Sequence, residues 1–364
     1  MKLLYLTMLD FPRRVANRGQ IMNMSEAFSK YTNFKLFMTH SYLKRSELYE
    51  YYGVEKPFSI VEVNSKKVPG KLRSLLRFFI LMATFRPGVV YVREEKLAYL
   101  LSLLRIKYVY EIHEIFRANI KRQIHVIGRS LFTVAITSTL VTELDELGVD
   151  SEKVVLCNLA VKISSYVDNG DKCFDGIPES NNCVRIVYSG RFSEHKGIYT
   201  LIDAVNFLPD NYRLFLIGGF EGEKEIIQNY IEGNSLTEKI EIIGYVKHAV
   251  VHKYLKSSDI LVLPNSGKAE IMRHTNPLKL YEYLAAGRPI VASDLVSLRD
   301  VVSDDIVNYF VADDSIDLAR VIKSVTEDKK LSAGKVKNGL EFVRSKSWEA
   351  RAKKLLQLMD VKIE

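Results

Sequence analysis

The sequence predicts an α/β protein with two doubly wound, Rossmann-like domains that face a central cleft. At 364 residues the chain is too long for one ordinary hydrophobic core. Short apolar runs alternate with helical patterns in both halves, which is typical of parallel sheets. Residues 161–182 are polar and rich in turn formers, so we interpret them as a linker between domains 1–160 and 183–345. Residues 346–364 are predicted to form a C-terminal helix that packs back on the first domain.

The first domain is predicted from regularly spaced strands and helices. Its strands share runs of three or more apolar residues and are placed at Leu3–Leu6, Phe34–Thr39, Val89–Val92, Tyr108–Ile112, Val134–Thr137 and Val154–Leu156. Helices are predicted at about 20–30, within Lys66–Phe85 and at about 119–132. The loop Asp10–Gly19 follows the first strand, where a doubly wound sheet binds its ligand.

The second domain repeats this pattern. Its strands are predicted at Val184–Tyr188, Leu214–Ile217, Ile240–Ile243, Ile260–Leu263, Ile290–Ala292 and Tyr309–Val311. One helix is predicted between Pro277, which a first helical turn tolerates, and Gly287, which ends it. Another helix at Ile316–Thr326 leads to the C-terminal helix.

Positive charge is concentrated in the first domain. Residues 1–165 contain 25 Lys and Arg against 15 Asp and Glu, a net of +10. The whole chain has 52 Lys and Arg and 44 Asp and Glu, so residues 166–364 contain 27 basic and 29 acidic residues, a net of −2. The first domain therefore suits an anionic partner: a membrane surface, a phosphorylated acceptor or a nucleic acid. Nucleic acid ranks last because no nucleic-acid-binding motif is present.

Other features favour a cytoplasmic protein. The three cysteines lack metal-ligand spacing, which suits a reducing compartment and predicts no metal site. The first ten residues lack a signal-peptide cleavage site. The apolar run Phe78–Phe85 is far shorter than the roughly 20 residues that span a bilayer.

Two basic segments are candidates for contact with the acceptor or a membrane. The first lies in the loop after strand one, where its arginines either hold an anionic acceptor or are simply solvated: Arg13, Arg14 and Arg18. The second, Lys66–Phe85, combines basic residues with a broad apolar face, as membrane-interface helices do. We expect most of its apolar residues to pack in the core. The lysines expected to face lipid headgroups are Lys66, Lys67 and Lys71.

Several side chains that follow predicted strands are candidates for chemistry. Arg191 and Lys196 could neutralise a diphosphate, or could be exposed cations of an ordinary turn. Glu282, one turn into its helix, could accept hydrogen bonds from two vicinal sugar hydroxyls, or could be solvated. The loop before this helix is an anion site in principle, because free N–H groups and the helix dipole point at the ligand. His113 could bond a sugar hydroxyl or assist proton transfer, although a lone His beside a strand is more often structural.

Three tracts of the second half resemble the retaining nucleotide-sugar glycosyltransferases of the GT-B fold, in the large family 4 group. They are Tyr188–Gly197, Ile240–Val246 and Asn276–Asp294. The last contains Pro-Leu-Lys-Leu-Tyr-Glu-Tyr-Leu-Ala-Ala-Gly, which marks a subgroup of that family. The first half resembles the family weakly, through the loop at Gly19, Glu111-Ile112-His113 and Asn158.

The resemblance implies a donor site in the second domain and an acceptor site in the first. Arg191 and Lys196 would clamp the donor diphosphate, and Glu282 would hold the ribose hydroxyls. His113 would touch the transferred sugar from the opposite domain, and Tyr245 with Val246 would border the base. The remaining implied donor-binding residues are Gly19, Gly190, His274, Thr275, Asn276, Pro277 and Leu278. No metal or other cofactor is expected.

One position departs from the family pattern. Many members carry a Glu eight residues before the ribose Glu, whereas this chain has His274 there and Glu270 out of register. We expect a glycosyltransferase, peripheral on the inner face of the cytoplasmic membrane, that moves a sugar from UDP- or GDP-sugar to a lipid-linked or cell-surface polysaccharide acceptor. The alternatives are a non-catalytic nucleotide-sugar-binding partner of another transferase and a GT-B sugar-nucleotide epimerase.

Overall fold

The chain forms two compact units, each built around a parallel sheet. A computed structural model describes residues 1–13, 16–63, 70–166, 176–177, 183–268 and 276–363. The first unit comprises residues 1–159 and 348–364, and the second comprises 160–347. The predicted doubly wound α/β architecture is confirmed in each unit.

The sheet of the first unit reverses its order beside its first strand. In chain order the described strands are β1 (Lys2–Leu6), β2 (Asp10–Phe11), β3 (Asn33–Met38), β4 (His40–Ser41), β5 (Ser59–Glu62), β6 (Val89–Val92), β7 (Tyr108–Ile112), β8 (Thr133–Ala135) and β9 (Val154–Leu156). The sheet has the order β5-β3-β1-β6-β7-β8-β9, while β2 pairs with β4 alone. Every residue of β6 and β7 is buried, since helices cover both faces of a doubly wound sheet.

Six helices precede the second unit in the described chain. They are α1 (Ala16–Ser29), α2 (Arg45–Tyr52), α3 (Gly70–Phe85), α4 (Glu95–Leu103), α5 (Ile120–Arg129) and α6 (Ser138–Glu146). Among the described side chains of helix α3, Phe78, Leu81 and Phe85 are buried. Leu76, Phe79 and Ile80 of the same helix are exposed. Within the described residues, no helix is both long and apolar enough to cross a membrane.

The second sheet has the strand order of a Rossmann fold. Its strands are β10 (Val184–Gly190), β11 (Tyr212–Gly218), β12 (Ile240–Gly244), β13 (Ile260–Leu263), β14 (Ile290–Ser293) and β15 (Asn308–Phe310). All pair in parallel in the order β12-β11-β10-β13-β14-β15. The order therefore reverses between β10 and β13, which is where ligands bind in such sheets.

Helices and one hydrophobic core support this second sheet. The helices are α7 (Ile198–Ala204), α8 (Glu221–Gly233), α9 (His248–Lys256), α10 (Leu278–Ala286), α11 (Val296–Arg299), α12 (Ser315–Glu327) and α13 (Lys329–Arg344). Leu201 and Ile202 of α7 pack with Leu318 and Ile322 of α12 in a buried cluster that includes Ile186 of β10. Burial of this size is the main favourable term in the folding of the unit.

The last helix, α14 (Trp348–Ile363), belongs to the first unit. Lys30 at the end of α1 donates to the Glu349 carboxylate over 2.7 Å. Arg351 of α14 reaches the segment after β9 and donates to the Cys157 carbonyl over 3.2 Å. Trp348, the chain's one tryptophan, is buried where the helix begins.

The predicted loop Asp10–Gly19 is wrong in its second half. Helix α1 already begins at Ala16, so Gly19 lies inside it, and a Cβ there would meet no atom within 4 Å. The helix buries Ile21 and Phe28 completely. This burial outweighs the roughly 1 kcal/mol that one glycine costs a helix.

The helices between the predicted strands are the elements that the sequence patterns miss. They include α2, α4, α6, α8, α9 and α13, together with the edge strand β5. In α13, for example, the buried positions are Ser332, Gly339 and Val343, so the apolar periodicity that reveals a helix is weak.

We expect Gly197→Ala to destabilise the second unit. Gly197 has a φ of +68°, and an added Cβ would lie 1.6 Å from the Pro264 carbonyl oxygen. Left-handed strain and a backbone clash together should cost about 3 kcal/mol or more. The measurement is the midpoint of thermal unfolding. As a control, Gly334→Ala in α13 meets no atom within 4 Å and should leave the midpoint unchanged or slightly raised. Equal midpoints for the two variants would contradict this account.

Candidate functional site

The carboxyl edge of the second sheet brings two loops together at the reversal point. One follows β10 and spans residues 191–197, and the other begins at Pro264 after β13. The Ser266 N–H donates to the His195 carbonyl over 3.2 Å, so the loops contact each other. Gly197 permits this contact, because any side chain there would collide with Pro264.

Arg191 is held at this edge by an ion pair with Glu223 of α8. Its Nε and Nη2 atoms donate to Glu223 Oε1 over 2.9 and 2.6 Å, and its guanidinium carbon lies 4.7 Å from the Phe220 ring centroid. Glu223 Oε2 accepts from the Phe192 and Phe220 N–H groups over 3.1 Å each. Burial alone would raise the pKa of Glu223, but these hydrogen bonds lower it below its usual value. The Arg191 side chain is still 51% exposed and can receive an anion.

Two lysines bring further positive charge to the end of β10. Burial and the nearby charges of Lys279 and Arg191 lower the pKa of Lys196 to about 8. Lys279, in the first turn of α10, has its Nζ 3.4 Å from Ser189 Oγ. Burial lowers the pKa of Lys279 as well, against the opposing charge of Glu282. The positive charges of Lys196, Lys279 and the half-exposed Arg191 at one edge form a site that favours an anion.

Gly190 makes room for Lys279 at the end of β10. An added Cβ at Gly190 would lie 2.5 Å from Tyr188 Oη and 3.1 Å from Lys279 Cε. The Tyr188 hydroxyl donates to the Arg191 carbonyl over 2.7 Å, which fixes the start of the loop. The glycine therefore permits the close packing of strand, loop and lysine.

Helix α10 points its N-terminus and Glu282 toward the same edge. Pro277 caps the helix with extended backbone and no side-chain hydrogen bond, and the N-terminus of a helix favours an anion. The Tyr283 hydroxyl accepts from the Ser189 N–H over 2.9 Å and ties the helix to β10. Glu282 is half-buried. The pKa of Tyr166 is raised mainly by the burial of Tyr166 and further by the negative charge of Glu282. Glu282 and Tyr166 therefore lie near each other.

The remaining predicted donor-site residues are only partly described. Tyr245 and Val246 follow β12, two strands from β10, and Tyr245 is 39% exposed. Asn276 and Pro277 are buried, and Leu278 is half-buried at the start of α10. His274 and Thr275 lie outside the described residues, as do Arg14, Lys66 and Lys67 and the side chain of Lys71.

In the first unit, His113 belongs to a buried polar network. Its Nε2 lies 2.5 Å from Glu111 Oε1, and Glu111 is 3% exposed. Glu111 Oε2 accepts from the Tyr91 hydroxyl and, over 2.9 Å, from Arg351 Nη2. The His113 side chain keeps 21% of its surface exposed, so a ligand can reach it.

Burial and nearby positive charges keep His113 neutral at neutral pH. Burial and the positive charges of Arg93 and Arg351 lower the pKa of His113 to about 4, although Glu111 opposes them. Burial alone would raise the pKa of Glu111, but Arg351 and His113 hold it well below the usual value. At neutral pH the site therefore contains a carboxylate and a neutral imidazole.

Two of the predicted acceptor-side arginines are bound to one carboxylate. Arg13 donates to Asp10 Oδ2 through Nη2 over 2.8 Å, and its side chain is 59% exposed. Arg18 is buried and donates to Asp10 Oδ1 over 3.3 Å. Arg13 thus presents charge at the surface, whereas Arg18 holds the start of α1 against β2. Among the described residues, no group of three or more His, Cys, Asp or Glu side chains could hold a metal ion.

Comparison with known proteins relates part of the sequence to glycosyl transferases. Residues 183–328 match the family model of glycosyl transferases group 1. The phosphatidyl-myo-inositol mannosyltransferase of Mycobacterium leprae (strain TN) is 30% identical over 180 residues, which are 48% of this chain and 46% of that protein. The protein of the same name from Mycolicibacterium smegmatis is 25% identical over 223 residues, 60% of this chain and 54% of that protein.

Solved structures resemble the chain over nearly its whole length. The crystal structure of Anabaena Alr3699/HepE in complex with UDP matches with a TM-score of 0.77 over 99% of this chain and 100% of that chain, at 16% identity. The chain has the GT-B fold. This GT-B chain spans about half the length of the curated relatives it matches.

Sequence patterns in this GT-B chain miss the partners of the predicted residues. Spacing did not single out Glu223 beside Arg191, Lys279 near Lys196, or Arg351 near His113. A weak indication existed for Lys279, which lies inside the tract that resembles family 4. None existed for Arg351, which is 240 positions from Glu111 in the chain.

Acid should weaken the first unit through His113. Its pKa is about 4 in the folded chain and about 6.5 when unfolded, so the unfolded chain binds more protons between these values. The free energy of unfolding should therefore fall by about 1–2 kcal/mol between pH 7 and pH 5. Urea unfolding followed by the fluorescence of Trp348 reports on this unit. His113→Gln should show a smaller fall, and an equal fall in both proteins would contradict the assignment.

Proposed function

We propose that this GT-B chain is a glycosyltransferase that moves a sugar from a nucleotide-sugar donor to a hydroxyl of a lipid-linked or cell-surface polysaccharide acceptor. The observation that carries the proposal is the group of three cations, Arg191, Lys196 and Lys279, at the reversal point of the second sheet. They lie within the segment that matches glycosyl transferases group 1. Cations at this point suit the diphosphate of a nucleotide-sugar.

The cations would act on the departing nucleotide. When the bond between the anomeric carbon and the diphosphate oxygen breaks, negative charge grows on the diphosphate. Fixed cations and the N–H groups at the start of α10 stabilise that charge without reorganisation. The acceptor oxygen bonds to the anomeric carbon, and its proton passes to the leaving phosphate. We infer transfer without a metal, because the three cations supply the positive charge that this step needs. We also infer retention of configuration, from the resemblance of the three tracts to retaining glycosyltransferases.

The nucleoside and the sugar would contact other predicted residues. Glu282 accepts hydrogen bonds from the two ribose hydroxyls, and Tyr245 with Val246 borders the base. His113 accepts a hydrogen bond from a hydroxyl of the transferred sugar. UDP- and GDP-sugars are the proposed donors, and the UDP complex of the structurally similar Alr3699/HepE supports a test of UDP first.

A lipid-linked acceptor would require contact with a membrane surface. The two matched relatives are named for phosphatidyl-myo-inositol, which supports a lipid-linked acceptor here. Helix α3 exposes Leu76, Phe79 and Ile80 on a unit with excess positive charge. An exposed apolar patch on a basic surface suits the interface of an anionic bilayer. We infer peripheral association with the inner face of the cytoplasmic membrane through α3.

Nucleotide binding should depend on the cation group. Ligand at about a hundred times its dissociation constant should add about 2.7 kcal/mol to the stability of the folded chain. Thermal unfolding with UDP, GDP and ADP in parallel would therefore identify the base. Arg191→Gln and Lys196→Gln should each weaken binding about tenfold or more, because each removes a charge-assisted hydrogen bond.

Arg320→Gln is the matched control for these variants. Arg320 pairs with Asp317 on the exposed face of α12, and its loss should leave nucleotide affinity unchanged. If no nucleotide stabilises the folded wild type, the donor site is refuted. Binding without transfer to any acceptor would favour the non-catalytic partner, and a changed sugar in the recovered donor would favour an epimerase.

Membrane binding should depend on the exposed apolar side chains of α3. Phe79→Ser combined with Ile80→Ser should weaken binding to anionic phosphatidylglycerol vesicles about tenfold or more, because each side chain contributes roughly 1.5–3 kcal/mol when buried. Co-sedimentation with the vesicles measures it, and binding should also weaken as salt is raised. Ile226→Ser removes a similarly exposed side chain from α8 of the second unit and should have no effect. Equal binding by both variants would refute contact through α3.

A further inference from the structure

Arg351 is a buried cation that binds Glu111, the carboxylate in contact with His113. Its side chain is 3% exposed, and its Nη2 donates to Glu111 Oε2 over 2.9 Å. A buried charge of this kind is retained only with good partners, since burial without them is costly. Arg351 comes from α14, whereas Glu111 and His113 come from the end of β7 and the residues after it.

Further hydrogen bonds hold the Arg351 guanidinium in one position. Its Nε donates to the Asn158 carbonyl over 2.9 Å, and Nη2 also donates to the Cys157 carbonyl over 3.2 Å. The Asn158 amide in turn donates to the Ile136 carbonyl over 3.0 Å. The guanidinium is therefore fixed between α14, β7 and the segment after β9.

This arrangement decides which His113 nitrogen carries the proton. Arg351 and the Tyr91 hydroxyl both donate to Glu111 Oε2, which leaves Oε1 to His113 Nε2. A carboxylate only accepts hydrogen bonds, so Nε2 must donate. In a neutral imidazole the other nitrogen, Nδ1, is then an acceptor. Nδ1 has no hydrogen-bond partner among the described residues.

We propose that Arg351 is a positioning residue for His113: it holds Glu111 as the carboxylate that fixes the imidazole in its neutral, Nε2-protonated form, and so leaves Nδ1 to accept a hydrogen bond from a substrate hydroxyl. The inference rests on the proposed function, in which His113 contacts the transferred sugar. It adds that a residue of the last helix, α14, influences the protonation state of the His113 imidazole.

Removing the guanidinium should raise the pKa of His113 and favour its charged form beside Glu111. The charged groups that face His113 are Glu111 from β7, Arg93 after β6 and Arg351 from α14. Without Arg351, one of the two positive charges that keep the imidazole neutral is lost. The Glu111 carboxylate then favours the imidazolium, in which both nitrogens donate and neither accepts.

The experiment combines a titration with a pH profile. NMR of histidine-labelled protein, with His113→Gln to assign the resonance, should show the wild-type His113 titrating near pH 4. In Arg351→Met it should titrate at a higher pH than in the wild type, because one of the positive charges that lower its pKa is lost. The ratio of sugar transfer at pH 5 to that at pH 8 should then fall severalfold relative to wild type, because only the neutral imidazole accepts.

Further variants separate positioning from a purely structural role. Arg351→Lys keeps the charge and should keep the low titration point. Arg351→Met combined with Glu111→Gln removes both charges, should restore a neutral His113 and should regain transfer at pH 5. This double variant also avoids a buried, unpaired carboxylate if Arg351→Met alone does not fold. Lys354→Met removes another cation of α14, which donates to the Leu156 carbonyl, and should change neither measurement.

Failure of this inference differs from failure of the proposed function. If the wild type transfers sugar and Arg351→Met keeps the wild-type pH profile, Arg351 is structural and the inference is overturned. A uniform loss of transfer at all pH values, with His113 still titrating near pH 4, overturns it too. If the wild type transfers no sugar from any donor, the proposed function fails, and the positioning role with it.

Discussion

The second unit depends on the close approach of Gly197 to the Pro264 carbonyl. This contact lies where the strand order reverses, and it lets the loop after β10 touch the loop after β13. Lys196 therefore lies beside α10, near Lys279. Burial and the neighbouring charges of Lys279 and Arg191 lower the pKa of Lys196, so an anion at this edge would be favoured. A backbone contact thus helps to bring these positive charges together.

The strand order reverses beside the first strand in both units, but the charges at the strand ends differ between them. In the second unit, cations collect around the end of β10 with Glu223 as the carboxylate bound to Arg191. In the first unit, a buried carboxylate collects donors, and the product is a neutral imidazole at the end of β7. One edge suits a charged group, and the other suits a hydroxyl.

Local patterns predicted the strands and the residues that follow them, because buried β-branched runs and their end points are visible in the sequence. Arg191, Lys196 and Glu282 were expected at one edge, and the structure brings their elements together there. Their partners were not predictable, since Glu223 is 32 positions from Arg191 and only the packing of α8 joins them. The prediction of a loop at Gly19 was wrong, because burial in the tertiary structure extends α1 toward the N-terminus beyond its local pattern.

The position of α14 makes the first unit discontinuous in the chain. When residues 1–347 have been synthesised, the growing chain contains the described strands of the first sheet but not yet Arg351. Until that residue arrives, the Glu111 carboxylate lacks its main cation, and closing the core around it is costly. The unit whose synthesis begins first is thus completed last. Its His113 network can form only after the second unit has been synthesised.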